Sequence, residues 1–424
     1  MKQTEIGMIP DDWEVNLIGN VSEIFGRIGF RGYTVEDLVD EGFGAITLSP
    51  SNIQNGKMDF SNCSYISWKK YDESPEIKIA NGDILLVKTG STYGKSAIVK
   101  NLAKKATINP QFVVIKKTKC NNELLGYLIQ TPIVQEQIEA SIVGGAIPTL
   151  SQKQIASFKI PLSKSIKEQQ RIAKALSDVD ALISTTEKLL QKKRNIKQGT
   201  MQELLTGKKR LSDFTKSTEY KQTELGLIPE DWEVKKIKDF AKVYDGTHQT
   251  PHYIEVGIPF YSVENVTAND FYHTKFISEE EHKLLTSKVR IEKGDILMTR
   301  IGSIGDCKYV DWEPNASFYV SLALIKCDMS VDARFISYYS HSLQFKEELE
   351  RRSLVTAIPQ KINLGPISEI ILLLPSKEEQ TAIANVLSSM DKEIETLNTK
   401  LEKYRNLKTA MMQQLLTGKI RLVK

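Results

Sequence analysis

The sequence predicts an α+β protein in which two similar globular α/β domains are separated by a pair of long antiparallel coiled-coil helices with pseudo-two-fold symmetry. Three observations lead to this prediction: an internal duplication, a heptad pattern that closes each copy, and short strand-like and helix-like runs elsewhere. The 424 residues are sufficient for two domains, each with a core of its own.

The duplication is clearest at the two ends of the repeated unit. Residues 2–15 recur as residues 221–234, and Leu204 to Lys208 recurs as Leu415 to Lys419. The copies are 219 residues apart at the start and 211 at the end, so the first carries about eight additional residues in its middle. The middle mostly does not repeat, which predicts one frame with two different surfaces. The alternative is drift of a weakly constrained region.

A long amphipathic helix closes each copy. Ser165 with Glu168, and Ser376 with Glu379, have the spacing of capping boxes. Apolar residues then follow at intervals of four and three, which is typical of a coiled-coil seam. Roughly forty residues give a rod of roughly 60 Å. The predicted seam consists of Ile172, Leu176, Val179, Ile183, Leu190, Ile383, Leu387, Met390, Ile394, Leu397 and Leu401.

Two such helices in one chain most economically bury their seams against each other as an antiparallel pair. The alternatives are helices that fold back separately on their own domains, or seams that form homodimers. The predicted boundaries are 1–164 for the first globular domain (the first head), 165–207 for the first helix, 208–219 for a linker, 220–375 for the second head, 376–418 for the second helix and 419–424 for a tail.

Within the heads, apolar runs alternate with amphipathic ones. Ile84–Val87, Phe112–Ile115 and Ile370–Leu374 are typical of strands. Asn122–Ile142 and Val331–Arg352 are typical of helices. This mixture predicts the α+β class without fixing the arrangement of the elements.

Composition favours a cytoplasmic protein with reduced thiols. No apolar run reaches membrane-spanning length, and the N-terminus lacks the apolar stretch of a secretion signal. The four cysteines, Cys63, Cys120, Cys307 and Cys327, form no CxxC pair, which disfavours a zinc ribbon or a disulfide framework. A net charge of +4 permits a nucleic-acid partner without requiring one.

Motifs that would indicate catalysis are incomplete. The segment Gly90 to Ser96 has three residues between its glycines, whereas a phosphate-binding P-loop needs four. The segment Asn109 to Phe112 lacks the second proline of an adenine-methyltransferase motif. Pro251 lies between His248 and His252 and spoils a helical pair of metal ligands. The chain is therefore predicted to bind a ligand without catalysing a reaction, and no metal site is expected.

Five short motifs occur once in each copy and in the same order, and in them the sequence resembles the specificity subunit of type I restriction–modification enzymes over nearly its whole length. The motifs are Gly7 to Glu14 and Gly226 to Glu233, Gly82 to Leu85 and Gly294 to Leu297, Ile147-Pro148 and Ile358-Pro359, Glu168-Gln169 and Glu379-Gln380, and Leu204 to Gly207 and Leu415 to Gly418.

The resemblance implies two target-recognition domains, each of which reads one half of a bipartite site in double-stranded DNA. It implies that the helices set the gap between the half-sites and dock two methyltransferase (modification) subunits. S-adenosylmethionine, ATP and Mg are then expected on partner subunits, including motor-nuclease restriction subunits, and no cofactor in this chain. The alternatives are a coiled-coil scaffold whose heads bind proteins, or a self-contained restriction or methylation enzyme, which the missing cofactor motifs disfavour.

Polar and basic residues in glycine-bent loops of each head are the predicted DNA contacts. The segment Asp245 to Pro251 resembles a loop common in the family's recognition domains. The predicted residues are Arg27, Arg31, Tyr33, Lys88, Thr89, Ser91, Tyr93 and Lys95 in the first head, and Tyr244, Asp245, Thr247, His248, Gln249, Thr250, Arg300 and Ser303 in the second. Lys88, Thr89, Ser91, Tyr93 and Arg300 are expected to point outward from their loops.

Overall fold

The structure, a computed structural model, describes residues 1–141, 148–215, 219–354 and 358–423. Contacts within the chain divide it into two compact units. The first unit comprises Met1–Glu187 and Lys400–Lys424, and the second comprises Lys188–Thr399. Each unit therefore contains one head together with parts of both long helices.

The first unit begins with fourteen strands and five short α-helices among its described residues, followed by the first long helix, which continues into the second unit. The strands are β1 (Lys2–Thr4), β2 (Gly7–Ile9), β3 (Trp13–Leu17), β4 (Glu23–Gly26), β5 (Leu38–Val39), β6 (Gly44–Leu48), β7 (Ile53–Gln54), β8 (Lys57–Met58), β9 (Ser64–Ser67), β10 (Ile84–Val87), β11 (Ser96–Ile98), β12 (Ala106–Ile108), β13 (Phe112–Lys116) and β14 (Lys159–Ser163). The helices are α1 (Ile18–Val21), α2 (Trp68–Asp72), α3 (Asn122–Ile129), α4 (Pro132–Ala140), α5 (Gln152–Ser157) and α6 (Ile166–Leu204).

The second head repeats this order with a different middle, and the second long helix follows it. Its strands are β15 (Tyr220–Thr223), β16 (Gly226–Pro229), β17 (Glu233–Lys236), β18 (Ala241–Asp245), β19 (Ile258–Tyr261), β20 (Lys275–Ile277), β21 (Ile296–Thr299), β22 (Cys307–Tyr309), β23 (Ser317–Phe318), β24 (Leu322–Cys327) and β25 (Ile371–Leu374). The helices are α7 (Val263–Ala268), α8 (Glu279–Leu285), α9 (Ala333–Tyr339), α10 (Leu343–Arg352), α11 (Leu364–Ser368) and α12 (Lys377–Leu415).

A mostly antiparallel main sheet forms the centre of each head. Its strand order is β4-β13-β10-β11-β8-β7 in the first head and β18-β24-β21-β22 in the second. A smaller sheet accompanies it, with the order β12-β6-β9-β5 in the first head and β20-β19-β23 in the second. The predicted α+β class is confirmed.

The three predicted strands are present as β10, β13 and β25, but the two predicted helices are wrong as continuous elements. The first divides into α3 and α4 because Pro132 cannot donate a backbone hydrogen bond and disfavours helical geometry in the residue before it. The second divides into α9 and α10 because the Ser342 side chain accepts from Phe345 N and starts a new helix. Ile142 and Ile147 lie outside the described residues.

The central strands are buried on both faces, which explains their uninterrupted apolar runs. Ile84 and Leu86 of β10 belong to the core that includes Ile172 of α6. Leu85 and Val87 belong to a second cluster with residues of the smaller sheet. No polar residue can alternate in such a strand without losing its hydration.

The helices α6 and α12 are 39 residues long, which corresponds to about 58 Å at 1.5 Å per residue. In the second unit Lys193 Nζ lies 2.6 Å from Glu393 Oε2, and Lys197 pairs with Asp391. A later residue of α6 thus meets an earlier residue of α12, so the helices are antiparallel, as predicted. The first unit shows the same order in its pairs, Asp180 with Lys408 and Glu187 with Arg405.

The predicted seam residues lie on the inner faces of these helices, but the seam is shorter than expected at one end of each helix. Ile172 and Leu176 belong to the core of the first head, and Ile383 and Leu387 to that of the second, because each helix begins by packing on its own head. Among the predicted residues, Ile172, Leu176, Val179, Ile183, Leu190, Ile383, Leu387 and Leu401 are buried, and Met390, Ile394 and Leu397 are partly buried.

Each unit contains the same kind of polar triad, which includes a lysine from one of the two long helices. In the first unit the hydroxyl of Tyr127 donates to Asp180 Oδ2 at 2.7 Å, and Lys408 Nζ lies 2.9 Å from Asp180 Oδ1. One triad thus joins a head helix to both long helices, and polar groups at seam positions favour a single register. The second unit repeats it with Tyr338, Asp391 and Lys197.

The start of α6 is fixed by a buried carboxylate. Glu168 is 1% exposed, and it accepts hydrogen bonds from Trp13 Nε1 at 3.1 Å and from Ser163 Oγ at 2.6 Å. Arg421 donates to both of its oxygens, from Nε at 2.7 Å and from Nη2 at 3.0 Å, and also binds Asp12 through two hydrogen bonds. The opening motif, the helix start and the tail after α12 therefore meet at one charged group.

The second unit builds the same cluster from the corresponding residues. Glu379, also 1% exposed, accepts from Trp232 Nε1 at 3.3 Å and from Arg210 Nε and Nη2 at 3.0 and 2.6 Å. Arg210 also binds Asp231 through two hydrogen bonds of 2.8 Å. The linker residue Arg210 thus serves the second head as the tail residue Arg421 serves the first.

These clusters correct the predicted capping boxes. Half of each box is present, because Glu168 N and Glu379 N donate to the hydroxyls of Ser165 and Ser376 at 3.3 Å. The carboxylates do not turn back to the backbone of the cap residue as the motif requires. They bind tryptophan and arginine instead, since a buried carboxylate is stabilised far more by a charged partner than by one amide.

Glycine is required where each long helix ends. Gly207 and Gly418 have φ of 69° and 68°, the left-handed conformation predicted for a residue just past a helix. A Cβ at Gly207 would lie 2.5 Å from Pro229 Cδ, and one at Gly418 would lie 2.4 Å from Pro10 Cγ. The closing motif of each helix therefore packs directly on the opening motif of a head. No helix in the described part of the chain is long and apolar enough to cross a membrane.

We predict that Glu379→Ala lowers the free energy of unfolding of the second unit by about 3 kcal/mol, because it leaves the guanidinium of Arg210 buried without its main partner. Denaturant unfolding with hydrogen exchange resolved by peptide measures this loss. Glu378→Ala is the matched control, since Glu378 is exposed on the same turn. Equal stability of the two variants would contradict a stabilising role for the cluster.

Candidate nucleic-acid interface

One edge of the main sheet in the first head gathers predicted DNA contacts from separate parts of the sequence. Strand β4 ends at Gly26, which pairs with Val113, and β10 ends at Val87, which pairs with Phe112. The residues that follow β4 and β10 and precede β13 therefore lie side by side. This edge (the first reading edge) carries Arg27, Lys88, Gln111 and Lys95.

Arg27 lies at this edge with its guanidinium turned into the head. The residue is 5% exposed, and it donates to Ile108 O at 3.2 Å, Arg31 O at 3.2 Å and Thr107 Oγ1 at 3.3 Å. Its guanidinium carbon lies 5.2 Å from the ring centroid of Tyr33. Burial lowers the pKa of Arg27, and nearby Tyr33 opposes this shift. Arg27 therefore holds the loop that carries Arg31 and Tyr33.

Two neighbours of Arg27 are half-buried at the same edge. Arg31 Nη1 lies 3.6 Å from Glu76 Oε1. The hydroxyls of Tyr33 and Thr47 are 3.2 Å apart. Both side chains are thus held by the head and remain partly accessible to a ligand.

The loop between β10 and β11 is bent by glycines, as predicted. Gly90 and Gly94 have φ of 102° and 81°. Ser91 and Lys95 are exposed, whereas Tyr93 is partly buried against the core. A strand follows this loop where a P-loop would continue into a helix, so the segment lacks the geometry of a nucleotide site. Thr89 is partly buried and forms a β-bridge with Thr149.

The second head forms a corresponding edge (the second reading edge). Asp245 ends β18 opposite Ala323, and Thr299 ends β21 opposite Leu322. Arg300, the residue after β21, is 6% exposed. The expectation that it points outward is wrong, because its guanidinium donates to Val320 O at 2.8 Å and Ile362 O at 3.3 Å. Burial lowers the pKa of Arg300, and the charge of Asp245 opposes this shift.

Asp245 connects the buried arginine to an exposed histidine. Its Oδ2 lies 3.6 Å from Arg300 Nη2 and 2.6 Å from His248 Nε2. The His248 side chain is 70% exposed, so most of its imidazole is accessible to a ligand. Through these contacts, Arg300 and Asp245 hold the imidazole of His248 in place at the second reading edge.

The remaining predicted residues of the second head lie at the end of β18, in the loop that follows it and in the loop after β21. The Thr247 hydroxyl donates to Gln249 O and accepts from Gln249 N, both at 3.2 Å, which holds a tight turn. Ser303 Oγ donates to Asp306 Oδ2 at 2.5 Å in an exposed loop. Thr250 is exposed, and Tyr244 is partly buried against a small core cluster.

Sequence reasoning missed two polar residues at the first reading edge. Gln111 precedes β13, which lies between β4 and β10, and its carbonyl accepts from Lys88 N at 2.8 Å. Gln152 approaches from α5, where its Nε2 would lie 2.9 Å from a Cβ built on Gly26. The strand register that brings Gln111 and Gln152 to this edge cannot be predicted from a local motif. Gln111 does belong to the segment Asn109 to Phe112, which resembles part of a methyltransferase motif.

A family model for the type I restriction modification DNA specificity domain matches residues 10–196 and 229–403, once in each copy. These two matches cover most of the chain. The chain belongs to the type I restriction–modification DNA specificity family. As a member of this family it recognises DNA, and its duplication corresponds to two specificity domains.

Individual specificity subunits agree with this assignment. The type I restriction enzyme MjaVIII specificity subunit of Methanocaldococcus jannaschii is 30% identical over 427 residues, which covers 98% of this chain and 94% of that relative. The crystal structure of a type I system S subunit from M. genitalium has a TM-score of 0.60, with 14% identity over 98% of both chains. A chain from a study of complex assembly and conformational transition of the type I R-M system has a TM-score of 0.51, with 17% identity over 97% of this chain and 100% of that one. The two structures share the fold.

We predict that Arg27→Met destabilises the first head by about 2 kcal/mol, because two backbone carbonyls and a hydroxyl lose their donor. Amide hydrogen exchange should increase in residues 28–34 and 107–109 relative to the unsubstituted chain. Lys117→Met, at the opposite edge of the same sheet, is the control. Unchanged exchange with weakened DNA binding would instead make Arg27 a direct DNA contact.

Proposed function

We propose that this chain is the non-catalytic specificity subunit of a type I restriction–modification complex, and that each head reads one half of a bipartite DNA target. The observation that carries the proposal is the pair of reading edges. They lie at equivalent positions in the main sheets of the two heads, yet the first presents Lys88 and Lys95 and the second presents Asp245 and His248. Equivalent placement with different chemistry is what two half-sites of different sequence require.

The long helices supply the spacer in this proposal. Each is continuous over 39 residues and joins the core of a head at both of its ends. Their length should therefore set the gap between the two half-sites. The repeated triads and buried carboxylate clusters support this role, because they restrict the pair to one register.

The same helices are the proposed docking surface for two methyltransferase subunits. Leu182, Leu189 and Ile196 of α6 follow a seven-residue spacing, and they are 46%, 41% and 43% exposed. An exposed apolar stripe on a helix supports packing against a partner helix. In this assignment S-adenosylmethionine binds the methyltransferase subunits, and ATP and Mg bind motor-nuclease subunits that join for restriction. A chromosomal DNA ligand implies a cytoplasmic complex.

We predict that the host's adenine-methylation map contains a two-part motif with a fixed unspecified gap that disappears when this gene is deleted. Single-molecule sequencing of the deleted and complemented strains measures it. Complementation with a chain whose residues 1–160 come from another family member should change one half-site and keep the gap. A continuous motif, or a map unaffected by the deletion, would favour the scaffold alternative.

A further inference from the structure

The two reading edges differ in the residue that ends the first strand of each main sheet. Gly26 in β4 and Asp245 in β18 occupy the same place in the register, opposite Val113 and Ala323. Lys88 and Arg300 are also equivalent. Lys88 N donates to Gln111 O at 2.8 Å, and Arg300 N to Ser321 O at 2.9 Å, one residue before the matching strands β13 and β24.

Arg300, the cation at this position of the second head, is neutralised inside the protein by Asp245. Asp245 Oδ2 lies 3.6 Å from Arg300 Nη2, and Arg300 also donates to the carbonyls of Val320 and Ile362. The guanidinium is buried and its hydrogen bonds are used within the head. It has little capacity left for a ligand, and its contacts hold Asp245 under His248.

Lys88, the equivalent cation of the first head, has no carboxylate beside it within the described residues. A Cβ built on Gly26 would lie 3.6 Å from Lys88 Nζ, so a carboxylate at this position would reach the ammonium. Instead there is glycine, and the nearest side-chain polar atom to this Cβ is the amide Nε2 of Gln152, a hydrogen-bond donor. Within the described residues no acid pairs with Lys88, and partial burial lowers its pKa. A half-desolvated ammonium without an anion is costly unless a ligand supplies one.

We propose that Lys88 is a DNA-contacting cation of the first head, and that Arg300, at the equivalent position, is a positioning residue that holds Asp245 and His248. The inference rests on the proposed function. The ligand atom for Lys88 is an acceptor of duplex DNA, either a phosphate oxygen or the O6 and N7 of guanine. The residue at the position of Gly26 and Asp245 thus determines where the cation after the neighbouring strand points. With glycine, Lys88 faces DNA, and with aspartate, Arg300 faces the protein.

The first test removes or neutralises the cation of the first head. Lys88→Gln and Gly26→Asp are each assembled with the methyltransferase partner, and binding to a duplex carrying the methylated motif is measured at about pH 8 over a series of salt concentrations. Aspartate fits here, because the closest atom to its Cβ is the end of the flexible Gln152 side chain. Both variants should bind about tenfold more weakly, with a salt dependence shallower by about one unit. Lys117→Gln, an exposed cation at the opposite edge of the sheet, should change neither quantity.

Duplexes with single substitutions in the first half-site distinguish the two sources of the acceptor. A phosphate contact predicts that Lys88→Gln weakens all of these duplexes equally. A guanine contact predicts that the loss is largest on the original duplex and that discrimination at one position disappears. The midpoint of thermal unfolding is measured for each variant. A midpoint equal to that of the unsubstituted chain excludes misfolding as the cause of weaker DNA binding.

The second test is the reciprocal change in the second head. Asp245→Asn should release the charge of Arg300, so that the salt dependence becomes steeper by about one unit while discrimination in the second half-site falls. A purely structural loss would weaken binding without steepening this dependence. Arg300→Met should leave the salt dependence unchanged and lower the same discrimination, and Arg300→Lys should restore part of it.

The outcomes separate the inference from the function on which it rests. If the unsubstituted complex retains duplex DNA but Lys88→Gln and Lys117→Gln behave alike, the assignment of Lys88 is wrong and the proposed function stands. If Asp245→Asn flattens the salt dependence, the assignment of Arg300 is wrong. Absence of DNA retention by the unsubstituted complex would overturn the proposed function itself.

Discussion

The buried carboxylate at the start of each long helix is the interaction on which the rest of the structure depends. Glu168 and Glu379 are almost completely removed from water, and each is neutralised by an arginine that comes from beyond the other helix. A buried carboxylate without that arginine would cost several kcal/mol, so the helix start, the opening tryptophan and the closing segment must form together. This requirement joins the two ends of the repeated unit.

The same requirement explains why the duplication is faithful at its ends and divergent in its middle. The opening motif supplies Trp13 and Pro10, and the closing motif supplies Gly418 and Arg421, so a change in one end must suit the other. The strands and loops between them share a sheet register but not these contacts. They are consequently free to vary in the side chains that they place at the reading edge.

Charge at the reading edges is governed by the partner available inside the protein. Arg27 and Arg300 are basic, yet their guanidinium groups are satisfied by carbonyl oxygens of their own heads. Lys88 and Lys95 lack such partners within the described residues, and Lys95 is also exposed. A count of basic residues therefore overstates the charge that each head offers to DNA, because neutralised groups contribute little to long-range attraction.

The sequence by itself determined the duplication, the two long helices, the glycines that end them and the family, because these depend on local spacing and on repeated motifs. It also placed predicted contacts in loops that do converge on one edge in each head. Only the tertiary structure decided which cations are available, since Asp245 and Arg300 are 55 positions apart and meet through strand register alone. The same holds for Glu168 and Glu379, which local pattern assigned to backbone capping. Long-range burial and charge pairing prevailed over that local preference.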